Sequence, residues 1–343
     1  MKNRVAFLFS VSALILFVFI GYACQDNGVI EPSQNSDFQN RLAKVVDNDE
    51  AVQTFQPNYS EGEAMSFMDT GMGKEIYPLR VGQAMKPVER SLEIPSDSNA
   101  TELEGTLYQK FEGTLFITGY MVDSTDSSNI VKTVNVQKPF TTEIYRKVIL
   151  TKVDSTGNVL EDWKVTSVSL PQGGTANPST KIVKITLTPE SGDPIVIEDP
   201  NSYFFDKGSW RGKEDDDDDA EDEFEEDDHR SGAVRIEFGM RHSAYLWFHG
   251  RQSVNVKVEV ASPNDFDFVT LTYGANNSGK FKTKYKFDLV SSGGGINVYE
   301  KTLKMHTHRG KAHVVINVLP NSAVFDDEAP VEEHTWGIPY LVK

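Results

Sequence analysis

Residues 107–120 read LYQKFEGTLFITGY, and apolar and polar side chains alternate along most of this stretch. A period of two places successive side chains on opposite faces of a β-strand. Glu112-Gly113 divides the stretch and predicts two short strands around it. Further strand-like runs occupy residues 131–136, 144–153, 163–170, 182–187 and 195–197. Turn-forming residues separate them, so residues 91–206 are predicted to form an antiparallel β-sandwich with Trp163 in its core.

A second series of strand-like runs follows in residues 233–343. It comprises residues 233–238, 244–248, 254–260, 268–273, 281–289, 298–305, 312–319 and 336–342. Seven or eight strands in about 110 residues resemble an immunoglobulin-like sandwich in size and spacing. The cysteine pair of antibody domains is absent. The predicted fold is mainly β, with two tandem antiparallel β-sandwich (immunoglobulin-like) domains.

The first 23 residues have the composition of a secretory signal peptide. Lys2 and Arg4 precede an apolar run at residues 5–20, and small residues follow before Cys24. The run is shorter than the roughly 20 residues that a membrane-spanning helix needs. We expect residues 1–23 to be removed on export. An uncleaved membrane anchor is the alternative.

Ala23-Cys24 resembles the lipobox of bacterial lipoproteins, in which the cysteine is lipidated. The chain departs from that family at Gly21, where Leu or Val is usual. Cys24 is the only cysteine, so its lipidation leaves no thiol for a disulfide or a cysteine nucleophile. The resemblance implies that the membrane is a partner of the protein, which is attached to it through the lipid. Gln25, in place of the Asp that retains some lipoproteins in the inner membrane, implies the outer membrane.

A polar segment follows the predicted anchor. Residues 24–60 are rich in Gln, Asn, Asp, Ser and Glu, and such a composition cannot bury enough apolar surface to offset chain entropy. We expect a flexible tether, with one short helix after Ser36 where apolar residues recur at helical spacing. Residues 61–90 are rich in Met and are predicted to pack against the rest of the chain.

Residues 214–228 contain 13 acidic side chains and no basic one, within an acidic linker predicted at residues 207–232. The chain has a formal net charge of −17, which argues against nucleic-acid binding because phosphate backbones are repelled. Six acidic residues have the relative spacing of EF-hand calcium ligands: Asp215, Asp217, Asp219, Glu221, Glu223 and Glu226. Ala220 stands where a calcium loop needs Gly. A solvated, self-repelling loop is the alternative.

Aromatic residues in the second series form a candidate ligand-binding platform. They are Tyr245, Trp247, Trp336 and Tyr340. Exposed rings on exported sandwiches are how many carbohydrate-binding modules hold sugars. Alternation places Tyr245 and Trp247 on one face of their strand and Leu246 and Phe248 on the other, so one of these faces is core. A core or inter-domain role for the rings is the alternative.

Three histidines lie close together in the sequence: His306, His308 and His313. With Arg309-Gly310 as a two-residue turn, residues 302–308 and 311–317 are predicted to pair as a hairpin. This register places Met305 and Val314 on an apolar face and the three histidines on the opposite one. Three imidazoles so arranged suit Zn²⁺, Ni²⁺ or Cu²⁺. Exposed strand histidines without a metal are the alternative.

The sequence contains no signature of a serine hydrolase, a zinc peptidase, a P-loop protein or a dinucleotide-binding enzyme, and we predict no cofactor. We expect a lipid-anchored cell-envelope protein with a non-catalytic binding or structural role, whose ligand is a carbohydrate or a protein. One alternative is an envelope polysaccharide hydrolase with an Asp or Glu acid and base. Another is an adaptor subunit of an outer-membrane complex, with an exposed apolar patch or open sheet edge.

Overall fold

The computed structural model describes residues 34–49, 52, 65–66, 76–95, 97, 99–122, 130–206, 236–238, 241–243, 246–275, 283–307 and 310–343. Within these ranges the chain is mainly β, and its strands pair mostly antiparallel, as the alternating sequence predicts. The chain divides into two units, residues 1–40 and 41–343. The first contains the beginning of one helix, and the second contains all the described strands.

The described helices are α1 (Gln34–Asp47), α2 (Val159–Asp162) and α3 (Asn321–Phe325), and a 3-10 turn covers Pro200–Ser202. None of these helices is long and apolar enough to cross a membrane. The strands, in chain order, are β1 (Met65–Ser66), β2 (Ile76–Glu93), β3 (Glu102–Val122), β4 (Ile130–Lys152), β5 (Trp163–Ser169), β6 (Gln172–Gly174), β7 (Lys181–Pro189), β8 (Ile195–Ile197), β9 (Tyr203–Asp206), β10 (Ile236–Phe238), β11 (Arg241–Ser243), β12 (Trp247–Phe248), β13 (Ser253–Ala261), β14 (Asp267–Ala275), β15 (Thr283–Lys286), β16 (Asp288–Gly293), β17 (Ile296–Lys304), β18 (Gly310–Pro320) and β19 (His334–Val342).

The described strands form two sheets. The larger has 14 strands, and its main path runs β10-β11-β9-β5-β4-β6-β19-β18-β14-β15. Strands β3 and β2 continue outward from β4, while β1 pairs with β2 and β12 pairs with β19. The smaller sheet has 5 strands in the order β16-β17-β13-β7-β8.

Strand β18 separates two hydrophobic cores. Its residues Val314, Ile316 and Val318 join the first core, together with inward residues of β13 and β17 from the smaller sheet. Its residues Val315 and Leu319 join the second core, together with inward residues of β2, β3 and β4. Both faces of β18 are therefore buried, which explains why its sequence is apolar almost without interruption.

Strands β2, β3 and β4 form a long antiparallel ribbon of 18, 21 and 23 residues. The two short strands predicted around Gly113 are one continuous strand, β3. The ring of Phe140 lies 2.4 Å from where a Cβ of residue 113 would stand, so glycine is needed there without a break in the strand. Pro139 is tolerated within β4 because β5 and β6 pair with β4 at residues 143–152, away from the proline.

Strand β6 joins the ribbon to β19, where the sequence predicts only a break. Gly173 lies opposite Ile144 of β4 on one side and Thr335 of β19 on the other. A Cβ at residue 173 would lie 1.9 Å from the carbonyl oxygen of Glu143, a distance that no side chain allows. The close approach of these two backbones therefore requires glycine.

Strand pairing crosses the predicted domain boundary. In the smaller sheet β7 pairs with β13, and in the larger sheet β6 pairs with β19 and β9 pairs with β11. Strands from both halves of the chain thus share both sheets. The mainly β class is confirmed, whereas the division into two tandem immunoglobulin-like sandwiches is not.

The C-terminal part of α1 and Val52 beyond it are packed, which differs from the flexible tether predicted for residues 24–60. Leu42 and Val46 are fully buried, and Val52 is nearly so. The buried guanidinium of Arg146 on β4 donates to the carbonyl oxygen of Val52 at 3.5 Å. Burial lowers the pKa of Arg146 to about 9, and the charge of Asp49 opposes this shift. Arg146 therefore stays charged at neutral pH and ties this segment to the ribbon.

Candidate ligand-binding face

The aromatic platform predicted from the sequence is not formed as expected. Trp336 and Tyr340 are each only 2 % exposed and belong to the first core. Trp247 is half-buried, with the Nζ of Lys343 at 4.8 Å from its ring centroid. Tyr245 lies outside the described residues. Trp336 and Tyr340 are thus core residues, as the alternative reading of the sequence has it.

The predicted histidine hairpin is wrong. Strand β17 pairs with β13 and β16, whereas β18 pairs with β14 and β19, so the two strands lie in different sheets. His313 is buried opposite Pro339, and His306 is half-buried with its ring centroid 6.1 Å from that of Tyr340. His308 lies outside the described residues. In the described part of the chain, no three His, Cys, Asp or Glu side chains are placed to hold a metal.

Two further predicted sites cannot be placed in the fold. Cys24 lies outside the described residues, and so do the acidic residues Asp215, Asp217, Asp219 and Glu226. Lipidation and calcium binding at these positions therefore stay predictions.

The outer face of the ribbon, which is the face of β2, β3 and β4 directed away from the second core, carries a pair of tyrosines that share one carboxylate. Tyr108 of β3 and Tyr145 of β4 are direct cross-strand partners, with ring centroids 5.2 Å apart and ring planes inclined by 51°. The Tyr108 hydroxyl donates to Oε1 of Glu143 at 3.1 Å, and the Tyr145 hydroxyl donates to Oε2 at 2.8 Å. Tyr145 is 37 % exposed. The two rings are therefore fixed by Glu143 on a solvent-accessible face.

The tyrosine hydroxyls act as donors at neutral pH. Burial, together with the hydrogen bond to Glu143 and its charge, raises the pKa of Tyr108 and of Tyr145 to about 12. Each oxygen of Glu143 accepts a hydrogen bond from one of these hydroxyls. The site therefore presents two aromatic rings around a charged acceptor.

A groove continues along the same ribbon beyond the tyrosine pair. It has a volume of about 690 Å³ and is lined in part by the outward residues Lys86, Glu112, Thr114 and Thr141. Phe116, 38 % exposed, follows Thr114 on the outer face of β3. From Tyr108 to Phe116 a straight strand measures about 27 Å, at about 3.4 Å per residue. Its lining also includes Ala84, Met85, Pro139 and Phe140, so rings stand at both ends of a depression with polar and apolar walls.

The alternation of β3 contains a signal for this face that sequence analysis did not use. Every second residue from Tyr108 to Tyr120 points away from the second core, and Phe116 is one of them. On β4, Glu143 and Tyr145 are two residues apart and therefore share a face. Which strands are neighbours, and hence that Tyr108 meets Tyr145, is not visible in the sequence.

A second polar cluster is fully buried and, unlike the tyrosine pair, is not accessible to solvent. The Gln83 amide donates to Oε2 of Glu333 at 2.7 Å, and the Asn317 amide donates to Oε1 of Gln83 at 3.2 Å. The Thr335 hydroxyl donates to Oδ1 of Asn317. Glu333 is 0 % exposed, and its burial raises its pKa against the opposing effects of Gln83, Thr142 and Lys284. This cluster joins β2, β18 and β19 and has no opening for a ligand of polymer size.

Comparison with known proteins gives no functional assignment, so the proposal below rests on the outer face of the ribbon. No protein-family model matches the chain, and no curated protein matches it significantly.

Proposed function

We propose that this chain is a lipid-anchored protein of the cell envelope, held in the outer membrane through Cys24, that binds a carbohydrate polymer without catalysis. The observation that carries the proposal is the Tyr108–Tyr145 pair, half-buried at Tyr108 and exposed at Tyr145, on the same ribbon as the groove. Aromatic rings offer apolar faces to the C–H face of a pyranose, while the neighbouring carboxylates and hydroxyls bond its polar edge. An elongated face with rings at both ends suits an extended ligand.

The arrangement favours binding over hydrolysis. A glycosidase needs a protonated carboxyl group as its general acid, paired with a second carboxylate. Glu143 accepts a tyrosine hydroxyl on each of its oxygens, so both oxygens are engaged within the ring pair and neither points to a ligand as an acid would. The best-placed carboxylate of this face is therefore unsuited to the acid role, and it serves to orient the rings.

Binding is tested by sedimentation of the full-length protein, in detergent, with a panel of insoluble polysaccharides. We expect Y108A/Y145A to weaken binding at least tenfold, because about 1.4 kcal/mol corresponds to a factor of ten and each ring contributes on that order. L289A, on the exposed strand β16, is the control and should bind normally. Y145F keeps the ring and should bind nearly as well as the wild type.

The proposal fails if no polysaccharide sediments the protein, or if Y108A/Y145A binds like L289A. Equal thermal midpoints for the variants exclude loss of folding as the cause. The anchor is tested separately by C24S. This variant should lose the lipid and leave the membrane fraction, and retention of both by C24S contradicts the anchoring.

A further inference from the structure

The charges around the tyrosine pair narrow the class of ligand. Cross-strand pairing places Glu89 and Glu143 on either side of Lys110, in the row next to the tyrosines. Glu93 lies in the next row on the other side of the pair. Three carboxylates therefore surround the two rings.

The positive charges of this surface do not balance them. Lys110 is the one cation between two of the carboxylates in its row, and Lys147 is ion-paired with Glu104 at 2.8 Å. Lys86, further along the same face, lies directly opposite Glu112. The rings thus stand in a surface of net negative charge.

A cation gains from this arrangement in two ways. The face of a tyrosine ring attracts an ammonium group through its quadrupole. A carboxylate held beside the ring adds a charge-assisted hydrogen bond to the same group. Because Glu143 fixes both rings, little side-chain entropy is lost when a ligand arrives.

We propose that the polymer bound at this face carries protonated amino groups, as a glucosamine polysaccharide with free amines does, and that Glu89, Glu93 and Glu143 recognise them around the Tyr108–Tyr145 rings. This inference rests on the proposed function and specifies its ligand. Neutral polysaccharides lack the ionic contribution, and anionic ones are repelled by the same carboxylates.

The test compares a glucosamine hexamer with its fully N-acetylated counterpart, since the two share a backbone and differ in charge. Calorimetry with the full-length protein at pH 6 and low salt should give at least tenfold tighter binding of the free amine. That advantage should shrink as salt is added, because exposed charges are screened. E89Q/E93Q should remove most of the advantage, while D193N/E198Q, at exposed acidic residues outside the ribbon, should preserve it.

The other outcomes distinguish failure of the amine inference from failure of the proposed function. Equal binding of the two hexamers, unchanged in E89Q/E93Q, overturns the amine inference and leaves the proposed function standing. Binding of neither hexamer, nor of any polysaccharide in the panel, overturns both. Binding of poly-lysine, with no binding of either hexamer or of any polysaccharide in the panel, overturns both in favour of a basic polypeptide as partner.

Discussion

Gly173→Ala tests the junction at which β6 joins strand β4 of the ribbon to β19. The added Cβ would lie 1.9 Å from the carbonyl oxygen of Glu143 and 2.8 Å from the Cα of Ile144. Ordinary contact begins at about 3.4 Å, so β6 must move away from β4 by more than 1 Å, and backbone atoms cannot rotate aside. Breaking two or three ladder bonds, each worth about 1 kcal/mol net, gives an expected loss of about 3 kcal/mol.

The assay is urea unfolding of the full-length protein in detergent, followed by tryptophan fluorescence, because Trp163 and Trp336 are both buried. Gly293→Ala is the matched control. A Cβ at residue 293 meets no atom within 4 Å, so its effect should stay within about 0.5 kcal/mol. A loss below about 1 kcal/mol in Gly173→Ala would refute the close approach of the two strands.

Two further predictions concern buried charges. Arg146→Met should cost about 3–5 kcal/mol because the carbonyl oxygens of Ser169 and Val52 lose their donor and buried Asp49 loses the nearby positive charge of Arg146. Asp49→Asn in the same chain should recover part of that loss in urea unfolding, and equal stabilities of the single and double variants would contradict the electrostatic interaction between the two residues. Burial raises the pKa of Glu333 above its ordinary 4.5. At pH values between 4.5 and the raised pKa, the folded state holds a proton that the unfolded state has lost. The free energy of unfolding therefore falls as pH rises through this window. The thermal midpoint of Glu333→Gln should therefore rise relative to that of the wild type between pH 5 and pH 8. A difference in thermal midpoint that does not depend on pH would show that Glu333 does not titrate in this range.

Sequence patterns predicted burial better than pairing. Trp163 is buried as expected, and the turn at residues 155–158 precedes β5. Met305 and Val314 are both buried, as the hairpin register requires. They nevertheless belong to different sheets that face each other across the first core. Alternation fixes which side of a strand is apolar, but two strands that meet through a shared core give the same pattern as two that pair directly.

Long-range partners account for the features that sequence analysis missed. Gly113 looks like a strand break until Phe140 is seen to fill its missing side chain. Gly173 looks like a turn residue until β4 and β19 are seen on either side of it. The tyrosine pair of the candidate site depends in the same way on the register of β3 and β4. Each feature involves residues far apart in sequence.

The central claim, that the outer face of the ribbon holds the ligand, is tested most directly by photo-cross-linking. A glucosamine hexamer carrying a diazirine is bound to the full-length protein, irradiated and mapped by mass spectrometry. We expect cross-links in peptides from residues 104–116 and 139–147, which are lost in the presence of excess unlabelled hexamer. Competed cross-links confined to the exposed strand β16, where Leu289 and Val290 lie, would contradict it.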